Sequence, residues 1–197
     1  RAGYERQHTA LDLHDRKCDQ NLARLHKAGI SGVRTVSGDA CELNEVLTSF
    51  DAMLGEPALF DTVFIDAPCS GTGTMRRHPE IPWRLTENDV TTELPRLQLT
   101  MLKEAAARVA AGGELIYATC SVFDEENTQV VDAFLASPEG EGFTVAPLSE
   151  AQILQLPEYD HAKSLVTLRQ NARGLFQSVP VNSDSYDGHF CARLVRQ

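Results

Sequence analysis

Four short apolar runs in this chain each end within three residues of a side chain able to do chemistry. Residues 8–13 (HTALDL) hold Asp12 near their end, and 33–36 lead into Gly38–Asp39. Residues 60–65 stop at Asp66, and 114–119 run directly into Cys120. Segments of helical period lie between them, so strand and helix alternate along the chain. That alternation predicts a parallel, doubly wound α/β sheet. Ligands of such sheets collect beyond the carboxyl ends of the strands. Asp12, Asp39, Asp66 and Cys120 are therefore expected along one edge.

The helical segments are read from apolar spacing. Cys18, Leu22, Leu25 and Ala28 fall three or four apart over 15–28, and Gly29 closes that helix as a C-cap residue does. Leu43, Val46, Leu47, Phe50 and Leu54 give a second over 43–54. Leu97, Met101, Leu102, Ala105 and Val109 give a third over 97–110, with Pro95 near its start and Gly112–Gly113 at its end. Val130, Val131 and Phe134 put a fourth over 124–135. Residues 143–146 read as an edge strand and 189–195 as an alternating closing strand. The stretch 156–187 has no clear pattern. With no repeat or linker, 1–197 is expected to form one domain.

The loop after the third run is the richest in function. Residues 60–83 read FDTVFIDAPCSGTGTMRRHPEIPW. Pro68, Gly71 and Gly73 forbid a regular element after Asp66. They place Cys69, the cationic Arg76–Arg77–His78 and the lone Trp83 in one loop, a composition suited to a planar substrate bearing phosphate.

Five widely scattered cysteines with no C-x-x-C spacing argue against a disulfide framework and against structural zinc. A free cysteine is commonly a small buried hydrophobe, and Cys18 and Cys191 fit that role. Cys69 and Cys120 differ: each lies just past a core strand and each is followed by Ser. A thiolate there can be activated by helix N-termini and arginines. Asp12 suits the hydroxyls of a ribose, or else a helix cap, and Asp39 has the same two readings. Arg76 and Arg77 suit phosphate, or else a solvated turn. A net charge of −10 is unlike a nucleic-acid-binding domain, which carries a basic footprint. No apolar run is long enough to span a bilayer, so a cytoplasmic protein is expected.

The residues Asp66–Ala67–Pro68–Cys69–Ser70–Gly71–Thr72–Gly73, then Arg77–His78–Pro79–Glu80–Ile81 and Trp83, resemble the fourth motif of RNA 5-methylcytosine methyltransferases. Tyr117 to Val122 (YATCSV), with Glu126–Asn127, is similar to their sixth motif. Ala10–Leu11–Asp12 and Gly38–Asp39 resemble the family's cofactor acids, and Asp187–Gly188–His189–Phe190 its closing strand. Within the family the Sun/Fmu proteins are the nearest in pattern. The resemblance implies a Rossmann-like class I fold and methyl transfer from S-adenosylmethionine to C5 of a cytosine in small-subunit ribosomal RNA. It implies Cys120 as the nucleophile and Cys69 as the group assisting its release. Asp12, Lys17, Asp39 and Asp66 would contact the cofactor, and Asp66, Arg76 and Arg77 the RNA. No metal is implied, and a monomer is expected when the protein is complete.

The family's first strand and its glycine-rich cofactor loop have no counterpart here. The chain opens at Arg1–Ala2–Gly3–Tyr4, where the helix after that loop should be ending. A catalytic domain incomplete at its N-terminus is therefore expected. Two competitors remain at this point. One is a non-catalytic RNA-binding or ribosome-assembly module that keeps the fold without a complete cofactor site, which calorimetry with S-adenosylmethionine separates. The other is a thiol hydrolase using Cys120, weakened by the lack of any histidine near either cysteine in sequence.

Overall fold

The computed structural model describes residues 8–148, 169–180 and 186–197. The opening Arg1–Tyr4 and much of 156–187 lie outside the described residues. Two compact units divide the chain, Arg1–Ala58 and Leu59–Gln197.

In the first unit, strand β1 (His8–Asp12) pairs in parallel with β2 (Val33–Ser37), Asp12 opposite Ser37. Helix α1 (Asp15–Lys27) connects them and buries Cys18, whose Sγ donates to the Val36 carbonyl at 3.3 Å. Gly29 ends the connection with φ +72, a left-handed turn that glycine adopts without strain. The helix expected over 43–54 is broken in two, α2 (Leu43–Val46) and α3 (Thr48–Leu54).

In the second unit, β3 (Phe60–Asp66) and β4 (Val109–Thr119) run parallel, Asp66 opposite Ala118. Helices α4 (Ile81–Arg84) and α5 (Leu94–Ala106) lie in the connection between them. The closing strand β7 (His189–Arg196) lies on the far side of β4 and runs antiparallel to it. Strands β5 (Phe143–Val145) and β6 (Phe176–Ser178) pair with β7, also antiparallel. The sheet is thus mixed, where the alternation of elements predicts a parallel one. The connection from helix α6 (Thr128–Leu135) to the closing strand allows that strand to reverse.

Two boundaries differ from the pattern. The third helix stops at Ala106 and not at residue 110, and β4 starts at Val109. Val109 is fully buried and pairs with Phe60, so it belongs to the sheet. Gly112–Gly113 is a kink inside the strand: Gly112 has φ +73, and a Cβ on Gly113 would stand 2.9 Å from the Asp61 carbonyl oxygen. Helix α6 starts at Thr128 and not at 124, because 124–127 form a turn that sends two polar side chains inward. The core between α5, α6 and the sheet holds Leu102, Leu115, Tyr117, Val131, Phe134 and Leu194. The Tyr117–Phe190 and Phe134–Phe143 rings meet edge to face, with centroids 6.2 and 5.5 Å apart.

Candidate active site

Cys69 and Cys120 come from loops that follow β3 and β4, adjacent parallel strands, so both thiols emerge at the same end of the sheet. Their sulfur atoms are 3.4 Å apart, within hydrogen-bonding distance. The contact makes the two thiols unequal. The hydrogen bond from Cys69 is the main cause that lowers Cys120 from the usual value to about 7; burial, Asp66 and Glu126 oppose it. Cys69, as the donor, is pushed well up, first by that bond and then by burial. Cys120 is thus the thiol of the pair drawn toward neutral pH, and Cys69 the one that holds the proton.

Asp66, the last residue of β3, is exposed, and its carboxylate makes no hydrogen bond among the described residues. It is aligned with the pair: the backbone N–H of Ala67 donates to the Ala118 carbonyl at 2.9 Å. Asp66 and Cys120 thus share one end of the sheet, as the strand pattern predicts.

A buried polar network holds the two loops together. Ser70 and Ser121, the serines that follow the two cysteines, join Oγ to Oγ at 3.2 Å. Thr72 Oγ1 accepts from the Val122 N–H at 3.1 Å. Gly73 N–H donates to the Cys120 carbonyl at 2.8 Å. Glu126, Asn127 and Gln98, all fully buried, complete the network. Sequence reasoning missed the roles of these three. The helical period gives Leu97 to the core, yet Leu97 is 37% exposed and Gln98 occupies the inward position four residues before Leu102. A Gln on the same stripe as Leu102 and Ala105 is the signal that marks it.

In the first unit, Asp12 and Asp39 are also brought together. Gly38 N–H donates to the Asp12 carbonyl at 3.1 Å, and Asp39 follows at once. Gly38 must lack a side chain, since a Cβ would lie 2.5 Å from Val46. Asp12 Oδ1 accepts the His14 N–H at 3.0 Å and lies 3.9 Å from Lys17 Nζ, while Asp39 Oδ1 accepts the Cys41 N–H at 2.8 Å. Each carboxylate so keeps one oxygen without a hydrogen bond among the described residues. Two acids at the carboxyl end of parallel strands, oriented by backbone N–H groups, fit the hydroxyls and amino group of an adenosine.

The cationic loop is less free than its sequence implies. Arg77 Nε donates to Asp187 at 2.8 Å, and this pairing is the main reason that Asp187 titrates below its ordinary range. Arg77 thus ties the loop to the segment before β7 through an ion pair in which its side chain stays exposed. Arg76, His78 and Arg84 are exposed beside it, and Trp83 is 89% exposed. A cavity of about 330 Å³ opens next to this loop, walled by Thr72, Met75, Pro82, Leu85 and Phe123. Among the described residues no three His, Cys, Asp or Glu side chains converge as metal ligands do, and no helix is long and apolar enough to cross a membrane.

This fold, with two acids after one parallel strand pair and two thiols after another, is that of a methyltransferase. It superposes on the crystal structure of PH0851 with a TM-score of 0.72 at 29% identity, covering 95% of this chain and 36% of that one. A methyltransferase homolog from Pyrococcus horikoshii gives 0.65 at 20% identity, over 96% of this chain and 53% of that one. The model of the 16S rRNA methyltransferase RsmB/F family matches residues 3–195, and the chain belongs to that family. Ribosomal RNA small subunit methyltransferase B of Klebsiella pneumoniae (strain 342) is 47% identical over 83 residues, 42% of this chain and 19% of that protein. Its counterpart in Yersinia pseudotuberculosis serotype O:1b is 44% identical over 93 residues, 45% of this chain and 21% of that protein. The matched stretches thus span about a fifth of these curated relatives.

Proposed function

We propose that this chain is the catalytic part of an enzyme that methylates C5 of a cytosine in small-subunit ribosomal RNA through a covalent cysteine adduct. The observation that carries this reading is the unequal thiol pair beside Asp66. C5 of cytosine is a poor nucleophile until something adds to C6. The Cys120 thiolate forms a bond to C6, and the π electrons of the C5–C6 bond become available at C5. S-adenosylmethionine supplies the methyl group. A base then removes the C5 proton, the C5–C6 double bond re-forms and the Cys120 thiolate leaves, with Cys69, which keeps its own proton, donating a hydrogen bond to the departing sulfur. A soft, polarisable sulfur suits both addition and departure. Asp66 faces the place where the base must sit and can accept from the cytosine amino group, which requires the base to be unstacked from its helix. Asp12, Lys17 and Asp39 are assigned to the adenosine part of the cofactor.

The family membership supports the ribosomal substrate class, and the thiol geometry supports the cytosine chemistry. The test is a denaturing gel after incubation of the chain with a 16S rRNA fragment and S-adenosylmethionine at alkaline pH. Cys69→Ala should accumulate a protein–RNA adduct that survives denaturation, and Cys120→Ala should give none. Adduct with Cys120→Ala and none with Cys69→Ala reverses the two roles. No adduct with any variant sinks the covalent mechanism.

A further inference from the structure

Glu126 is wholly buried, and its carboxylate accepts three hydrogen bonds, all from groups that hold the thiol loops. Oε2 accepts the backbone N–H of Ser70, the residue after Cys69, at 2.8 Å. Oε1 accepts the hydroxyl of Ser121, the residue after Cys120, at 2.6 Å. Oε2 also accepts from Gln98 Nε2 at 3.1 Å, and that same nitrogen donates to the Pro68 carbonyl at 3.0 Å. Cys69 is thereby bracketed on both sides. Glu126 itself is pinned, because Tyr117 Oη donates to its carbonyl at 2.6 Å. Asn127 brackets Cys120 in the same way: Thr119 Oγ1 donates to Asn127 Oδ1 at 2.6 Å, and Asn127 Nδ2 donates to the Ser121 carbonyl at 3.0 Å.

A carboxylate is costly to bury, and a fold that only needed filling at this point would be served by an apolar side chain. Donors on two different loops, each next to a thiol, give the charge a specific task. Neither oxygen is hydrogen-bonded to a sulfur, so apart from the field of its charge, which raises the Cys120 thiol, Glu126 acts through its neighbours. We propose that Glu126 is a positioning residue whose carboxylate clamps the two thiol loops together and sets the separation of Cys69 and Cys120. The consequence for turnover rests on the methyltransferase reading; the clamp itself does not.

The spacing can be read without RNA or cofactor. Diamide, an azodicarboxamide oxidant, accepts two hydrogens from two neighbouring thiols, leaving one S–S bond and the reduced hydrazine. The rate at which the peptides of Cys69 and Cys120 become linked, followed by mass spectrometry on folded protein, reports how often the sulfurs meet. Glu126→Gln keeps an oxygen for Ser70 N–H and an NH₂ that can meet the Ser121 hydroxyl, so it should link within about threefold of wild type, whereas Glu126→Ala should link at least about tenfold more slowly. Alkylation of Cys120 by iodoacetamide, which needs one thiol only, should change far less in Glu126→Ala than linking does. If Glu126→Ala does not fold, Ser121→Ala removes only the arm to the Cys120 loop and should still slow linking by about threefold or more.

Linking at the wild-type rate in folded Glu126→Ala, or in Ser121→Ala where that variant carries the test, overturns the clamp and leaves Glu126 a fold staple. With the RNA fragment and S-adenosylmethionine, Glu126→Ala should trap adduct as Cys69→Ala does, because a displaced Cys69 cannot complete release. Slowed linking without RNA adduct in any variant, wild type and Cys69→Ala included, upholds the clamp and overturns the covalent mechanism proposed above.

Discussion

Cys69 Sγ and Cys120 Sγ lie 3.4 Å apart although 51 residues separate them in the chain. Parallel pairing makes this possible, because Asp66 and Ala118 stand opposite one another and both loops leave the sheet at the same end. Two thiols this close share a proton between them.

The proton sharing predicts a pH profile. Cys120 is lowered to about 7, so its reactivity should rise as pH passes through neutrality and fall below it. In Cys69→Ala the largest lowering cause is gone, while burial and the charges of Asp66 and Glu126 still raise the thiol. Its midpoint should return to the ordinary thiol range or above, so iodoacetamide labelling of Cys120 at pH 7 should slow by roughly tenfold or more. Asp66→Asn removes an opposing charge and should shift the midpoint the other way. An unchanged profile in Cys69→Ala means that the thiols act independently.

The strand ends were legible in the sequence because each short apolar run stops at an acid or a thiol, a local signal that needs no tertiary information. The pairing of Cys69 with Cys120 was half legible, in the two loops that each read Cys-Ser. The clamp was not, since Glu126 lies within a helix-like stretch and nothing local shows that 124–127 turn inward. The burial of Gln98 is hidden for a similar reason: polarity argues for the surface, and only the partners from Pro68 and Glu126 make a buried amide tolerable. The direction of β7 is likewise set by non-local contact with β4.

Gly73 and Gly188 set a second constraint. Gly188 N–H donates to the Gly73 carbonyl at 2.8 Å, and a Cβ on Gly73 would fall 2.2 Å from the Gly188 carbonyl oxygen. Because the obstacle is backbone, the clash cannot be relieved by a rotamer change. Gly73→Ala should lose about 1–3 kcal/mol in a urea titration. It should also slow adduct formation, since Gly73 N–H holds the Cys120 carbonyl. Wild-type stability for this variant contradicts the close approach.

Strand β3 pairs only with β4 among the described residues, and Phe64 in it is 62% exposed. An unpaired strand edge carrying an exposed aromatic invites association with other chains. Phe64→Lys should reduce light scattering of a concentrated sample while leaving the unfolding midpoint within about 0.5 kcal/mol of wild type. If scattering is unchanged, association uses another surface.

Trp83 supplies the last test, because it is 89% exposed and so adds little to the core. Its neighbours Pro82 and Leu85 wall the cavity beside the thiol loops, and the same loop carries Arg76, Arg77 and Arg84. An exposed aromatic among cations is the arrangement on which unpaired bases stack, and such stacking contributes about 1–3 kcal/mol per base. Trp83→Ala should therefore leave thermal unfolding unchanged but weaken binding of a single-stranded 16S rRNA fragment by about fivefold or more. Trp83 is the only tryptophan, so its fluorescence reports the contact directly in wild type. Quenching that saturates with RNA, together with weaker binding by Trp83→Ala, supports a stacking role. A fluorescence signal indifferent to RNA, with equal affinity in the variant, places the RNA elsewhere on the surface.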